Sequence, residues 1–238
     1  MLADPVFTRD DPRIAQRGGG PQPIMEALER SAGDVGLARL TRLLGMRREA
    51  DAIVTIAGGQ NVLRADGFDA GRELALSGRL SSYRIVHFAT HGFIDSRRPE
   101  LSGLVLSMVD RRGRPSNGFL QAHDVYNVRL PADLVVLSGC QTALGAEVRG
   151  EGMIGLTRAF MYAGTPRVIA SLWNVSDVAT ANLMRALYAA MLTQGLHPAA
   201  ALRAAQNAVR QQRAAPYYWA GFVLQGEMEL RGLRSMHP

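Results

Sequence analysis

Two apolar runs, each closing on one chemically reactive side chain, constrain this chain more than any other feature. The first is Tyr83-Arg84-Ile85-Val86-His87-Phe88-Ala89-Thr90-His91-Gly92 and the second is Leu134-Val135-Val136-Leu137-Ser138-Gly139-Cys140. Short aliphatic runs of this kind read as strands buried on both faces, as in a parallel sheet. A third, Val168-Ile169-Ala170-Ser171-Leu172-Trp173, reads the same way. Helical patterns alternate with them, so the predicted class is α/β, with a largely parallel central sheet and helices on both faces. Open α/β sheets bind ligands beyond the carboxyl ends of their strands. That is where His91 and Cys140 fall.

The segments between the runs fill in the alternation. Residues 1–23 carry Asp4-Pro5, Asp11-Pro12, Gly18-Gly19-Gly20 and Pro21-Gln22-Pro23, which are turn signals, and read as an irregular segment. Leu37, Leu40, Leu43 and Leu44 share a helix face, Gly45 interrupts it, and a second helix runs from Arg47 to Ala57, ended by Gly58-Gly59. A short strand at Val62-Leu63 and a helix from about Phe68 to Leu76 lead to the first central strand. Leu104-Val105-Leu106 reads as another strand, and Gly118-Phe119-Leu120 leads to a short helix near Asp124. A helix carrying Met153, Ile154, Leu156, Phe160 and Ala163 follows the second run. Two long helices, about Asp177 to Gln194 and Pro198 to Gln212, precede a last strand within Tyr218 to Leu224.

Composition removes several function classes. The net charge of +6 suggests nucleic acid, but all 27 basic residues are arginine, scattered, in runs of no more than two. A nucleic-acid binder should show a basic stripe with interleaved aromatics, so no direct nucleic-acid partner is expected. No run of 18 apolar residues marks a membrane span, and no membrane partner is expected. Met1 to Pro5 shows no basic segment followed by an apolar one, and Cys140 is the only cysteine in the chain. A lone cysteine fits a reducing compartment, so the expected location is cytoplasmic.

A cysteine nucleophile must be a thiolate or become one during attack, and a nearby imidazole assists that step and later protonates a leaving amine. Cys140 and His91 fit these roles, and the amides of Gly92 and Cys140 could donate to a developing oxyanion. From the residues alone, a buried structural cysteine and a hydrogen-bonded strand-end histidine fit equally well. His87 and His91 are spaced as a helical zinc pair would be, but in a strand they stand more than ~12 Å apart. No metal site or cofactor is expected, and His87 reads as a core histidine. Gly150-Glu151-Gly152 lacks the lysine of a phosphate loop, and Glu151 suits a helix N-terminus instead.

Six ordered blocks over about 140 residues resemble the CHAT domain, a bacterial branch of the caspase-like cysteine peptidases. They are His-Phe-Ala-Thr-His-Gly at 87–92, Leu-Ser-Gly-Leu-Val-Leu-Ser at 101–107, and Val-Leu-Ser-Gly-Cys-Gln-Thr-Ala-Leu-Gly at 136–145. Gly-Glu-Gly-Met-Ile-Gly-Leu-Thr-Arg-Ala-Phe-Met-Tyr-Ala-Gly at 150–164, Ser-Leu-Trp-Asn-Val-Ser-Asp at 171–177 and Tyr-Tyr-Trp-Ala-Gly-Phe-Val-Leu at 217–224 complete the set. Leu2 to Val6 is similar to the family's first strand. The resemblance implies a caspase-like three-layer sandwich and one domain overall, 24–238 being the peptidase domain and 1–23 continuing from a truncated first strand of a longer protein. It implies a cysteine endopeptidase with His91 as general acid and base, Cys140 as nucleophile, and the Gly92 and Cys140 amides as oxyanion donors.

The same resemblance implies that a protein or peptide substrate adds as a strand along Ser171-Leu172-Trp173-Asn174, with Trp173 as a pocket wall. Asp177 would favour arginine or lysine before the cut, although helix capping explains it as well. A regulatory protein or an upstream repeat domain is the implied partner. Gly139 stands where alanine is commoner and Ala143 where glycine is common, both small enough to keep the turn. Two alternatives stay open: a catalytically silent caspase-like scaffold that binds a protein partner, and a hydrolase or acyltransferase of small esters using the same pair.

Overall fold

A computed structural model of the chain describes residues 1–14, 40, 42–59, 61–94, 101–139, 141–143 and 151–228. In chain order the strands are β1 (Leu2–Pro5), β2 (Ala65–Gly67), β3 (Ile85–Ala89), β4 (His91–Ile94), β5 (Gly103–Val105), β6 (Phe119–Gln121), β7 (Leu134–Leu137), β8 (Gln141–Ala143), β9 (Arg167–Ser171) and β10 (Phe222–Gly226). The helices are α1 (Leu44–Ile56), α2 (Arg72–Leu76), α3 (Ala122–Tyr126), α4 (Glu151–Tyr162), α5 (Asp177–Leu192), α6 (Pro198–Gln212) and α7 (Pro216–Trp219).

Six strands form the main sheet in the order β10-β9-β7-β3-β1-β2, parallel throughout except for the antiparallel edge strand β10. The side-chain period of two sorts the central strands onto two faces. Val86, Phe88, Val135, Leu137, Val168 and Ala170 point to one face, against Val125 of α3 and Leu156, Ala159 and Phe160 of α4. Leu134, Val136, Ile169 and Phe222 point to the other, against Ile53 of α1, Leu183, Met184, Leu187 and Tyr188 of α5, and Ala201, Leu202 and Ala205 of α6. This is the expected three-layer arrangement. Burying a side chain such as Phe88 or Leu137 stabilises the fold by roughly 1.5–3 kcal/mol.

A second, four-stranded sheet, β6-β5-β4-β8, stands at the carboxyl ends of the main strands. Thr90 alone separates β3 from β4, so the chain leaves one sheet and enters the other at the residue before His91. In the same way, residues 138–140 separate β7 from β8.

Several local expectations change. Leu2–Pro5 is a strand seated between β2 and β3, as the resemblance to the family's first strand implies and not irregular as its turn signals suggest. Its register slips between Ala3 and Pro5, and Asp4 there has φ +47°, which explains why Asp-Pro reads as a turn signal. Residues 15–23 lie outside the described residues. The strand near Val62 is displaced to Ala65–Gly67, and the last strand starts at Phe222 after the helical turn Pro216–Trp219. Gly45 does not interrupt a helix but lies in the first turn of α1. It is small because Asp177 of α5 reaches it: a Cβ at Gly45 would stand 2.4 Å from the Asp177 Cγ. Pro198 opens α6, where its missing N–H has no intrahelical partner to lose.

Candidate active site

The site is built where the two sheets hand over to each other. On one side, β3 ends at Ala89, Thr90 places its hydroxyl on the Val105 carbonyl of β5, and His91 opens β4. On the other side, β7 ends at Leu137 and the Ser138 N–H donates to the Phe88 carbonyl at 3.1 Å, extending the β3–β7 ladder by one bond. Gly139 follows. It is closely pressed: a Cβ there would fall 1.6 Å from the Thr90 carbonyl oxygen and 3.4 Å from the Gly92 nitrogen. Alanine therefore does not fit at position 139 on this backbone. Gln141 then pairs in register with Gly92 as β8 joins β4 in parallel.

Cys140 itself lies outside the described residues. Its two chain neighbours, however, bracket His91: Gly139 abuts Thr90, and Gln141 stands opposite Gly92. His91 is 4% exposed, and its ring meets Phe7 with centroids 5.0 Å apart at 54°. Phe7 is set there by the segment after β1. The Val6 N–H donates to Ser107 Oγ at 3.1 Å and the Met108 N–H to the Val6 carbonyl at 2.8 Å.

An arginine clamp fixes the same segment. Arg42 Nε donates to Asp4 Oδ1 at 2.8 Å, and Arg13 bridges Asp4 at 3.1 Å and Asp11 at 2.7 Å. The hydrogen bond from Arg13 holds the Asp11 carboxyl below the usual carboxylate range.

The four residues expected along the substrate groove part ways. Ser171 is fully buried, and its hydroxyl donates to the Gly139 carbonyl at 3.1 Å, so it faces the turn before Cys140. Trp173 is half-buried over Gly221, with Nε1 donating to the Tyr217 carbonyl at 3.1 Å. Asn174 is exposed. Asp177 accepts the Gly45 N–H at 2.8 Å and so caps α1, whose own N-cap residue, Leu43, makes no side-chain bond. The edges of β9 are taken by β7 and β10, and the Leu172 N–H donates to the Gly221 carbonyl at 2.7 Å.

His87 is a core histidine as expected, but the polar partners around it, which sequence reasoning missed, lie behind the turn. His87 is 1% exposed, with Nδ1 3.0 Å from the Tyr188 hydroxyl and Nε2 3.1 Å from Ser138 Oγ and 2.6 Å from Glu49 Oε1. Glu49 is 2% exposed. Burial, with the Glu49 charge beside it, pushes the Tyr188 hydroxyl well above its ordinary titration range, so it stays a neutral donor. A signal was available. Glu49 falls on the apolar stripe of Met46, Ala50 and Ile53 in α1 and a charged residue there needs a buried partner. Among the described residues, no group of His, Cys, Asp or Glu side chains is arranged to hold a metal ion.

Comparison with known proteins agrees with this architecture. The family model described as "CHAT domain" matches residues 2–227. Tetratricopeptide repeat protein 28 of Homo sapiens is 41% identical over 109 residues, 45% of this chain and 4% of that protein. Tetratricopeptide repeat protein 28 of Mus musculus is 40% identical over 109 residues, with the same two shares. The alignment thus spans a small part of these relatives' length, and both are mammalian. With a family match over nearly its whole length and a largely parallel sheet between helical layers, the chain belongs to the CHAT domain family, a caspase-like domain related to the cysteine peptidases.

Proposed function

We propose that the chain is a cysteine endopeptidase that cleaves a protein partner through His91 and Cys140. The observation that carries this reading is the bracketing of His91 by the two chain neighbours of Cys140. His91 would take the thiol proton, and the Cys140 sulfur would attack the scissile carbonyl carbon. The oxyanion would accept hydrogen bonds from the Gly92 and Cys140 amides. His91 would return the proton to the leaving amine, and water, deprotonated by His91, would then release the acyl group from sulfur.

The substrate would pair with the main chain at Trp173-Asn174, with Trp173 walling the pocket. Ser171, turned inward, would support the turn before Cys140. Asp177 would favour arginine or lysine before the cut by charge alone, since its carboxylate already caps α1. Regulation by a partner protein or an upstream repeat domain is part of this proposal, in keeping with relatives named for tetratricopeptide repeats. So is a cytoplasmic site of action, which suits a chain with a single cysteine. Among the described residues no helix is long and apolar enough to cross a membrane.

A second reading has one observation in its favour. His91 is buried against Phe7, as suits a silent scaffold that binds a partner without cutting it. Incubating candidate partner proteins with the chain and with Cys140→Ala separates the two. A peptidase cuts a partner that Cys140→Ala leaves intact. Equal cleavage by both proteins removes the assignment, and binding without cleavage by either favours the scaffold.

A further inference from the structure

We propose that His87, held by Glu49 and Tyr188, is a positioning residue for the turn that carries Cys140, acting through Ser138. The proposal rests on the dyad reading above and extends it to a residue outside the dyad.

On the sheet face toward α1 and α5, the neighbouring positions of β3, β7 and β9 are aliphatic: Ile85, Leu134, Val136 and Ile169. His87 breaks the pattern, level with Val136 of β7. The period of two puts Ser138 next after Leu134 and Val136 on the same face. Ser138 is therefore the first polar position reached as β7 ends, and His87 Nε2 meets its hydroxyl at 3.1 Å. Buried polar groups cost stability unless all are satisfied, and an apolar set of similar shape is often more stable. Here both ring nitrogens of His87 have polar neighbours. Nδ1 lies 3.0 Å from the Tyr188 hydroxyl, and Nε2 lies 3.1 Å from Ser138 Oγ and 2.6 Å from Glu49 Oε1. The Ser138 hydroxyl reaches the Phe88 carbonyl at 3.5 Å.

Its members come from α1, α5, β3 and the end of β7, so it ties two helices to the residue two before Cys140. Ser171 fixes the Gly139 carbonyl from β9, and Thr90 limits Gly139 from the end of β3. Ser138 and Gly139 are thus held from three directions, and His87 supplies the one that passes through the core. A catalytic group displaced by about 1 Å can lose 100-fold in rate, so such bracing has a direct kinetic meaning.

The test uses the full chain with His87→Gln, Ser138→Ala, their double variant and Ser138→Thr. Two quantities are read: amide exchange over residues 136–141, and the rate at which iodoacetamide alkylates the single thiol, with His91→Ala as reference. Each single variant should raise exchange in that segment and slow alkylation about tenfold, and the double variant should be no worse than either single, as for partners in one interaction. Ser138→Thr, which keeps the hydroxyl, should recover the rate.

Additive effects, or a lower melting temperature with unchanged exchange in the segment, would show that the cluster only stabilises the fold and would overturn the proposal. If the wild-type thiol is no faster than in His91→Ala, the dyad reading fails, and exchange alone then decides whether His87 holds the turn. Should His87→Gln not fold, Ser138→Ala deletes a single hydroxyl and carries the same test against Ser138→Thr.

Discussion

His87 and His91 stand four residues apart and are almost equally buried, at 1% and 4% exposure. Their surroundings divide the molecule into two regions. His87 belongs to the main sheet, where Glu49, Ser138 and Tyr188 close around both ring nitrogens. His91 belongs to the second sheet, where its ring lies against Phe7 and its chain neighbours face those of Cys140. The single residue Thr90 makes the difference, because there the chain changes sheets and the strand's alternation no longer applies. Burial alone therefore does not separate a core histidine from the histidine proposed to react. What separates them is whether the neighbouring groups come from the core or from a strand end.

Substitutions can break that contrast. His91→Ala should lower partner cleavage about 10³-fold while costing less stability than His87→Ala. His87→Ala should do the reverse in kind, destabilising the protein by about 3 kcal/mol because it leaves the Glu49 carboxyl buried without its partner. Thermal melts and cleavage assays on both variants check this, and a large loss of stability in His91→Ala would erase the distinction.

Gly139→Ala tests the seam between the regions. Its methyl would overlap the Thr90 carbonyl, so the two strand ends must separate. Cleavage should fall about 100-fold by displacement of the reacting groups, and a variant with unaltered turnover would contradict the close approach.

Asp177→Asn gives a smaller effect. The amide oxygen still accepts the Gly45 N–H, so the melting temperature should hold. KM for substrates with arginine or lysine before the cut should rise about threefold, the scale of one screened charge pair. An unchanged KM would leave Asp177 a helix cap alone.

The smallest effect concerns acid stability. The folded Asp11 carboxyl titrates below its unfolded value of about 4, since Arg13 bonds its charged form. It thus adds stability above that value, and this stability is lost as pH falls through the folded value. Arg13→Ala should flatten the drop in melting temperature between pH 5 and 2. An equally steep drop in both proteins would remove Asp11 from the account.

Much of the fold was legible because its signals are local. Apolar runs of strand length, the proline opening α6 and the glycines closing helices are read within a few residues. The least legible parts depend on distant residues. Gly45 reads as a helix breaker until Asp177, 132 positions on, is seen to need the space. The turn signals of Leu2–Pro5 hide its strand character, which comes from β2 and β3 on either side and which only the resemblance to the family's first strand marks. At the site, the roles assigned to His91 and Cys140 drew on the six matching blocks, since strand ends alone could not separate a reactive pair from a structural one. The polar cluster around His87 needed three dimensions, because no spacing links Glu49 to Ser138 or Tyr188.

The most direct test of the central claim is the reactivity of the single thiol. Iodoacetamide should alkylate Cys140 in the folded chain near neutral pH at least tenfold faster than it alkylates free cysteine, and His91→Ala should abolish that advantage. A Cys140 that reacts no faster than free cysteine, or equally fast with and without His91, would contradict the dyad.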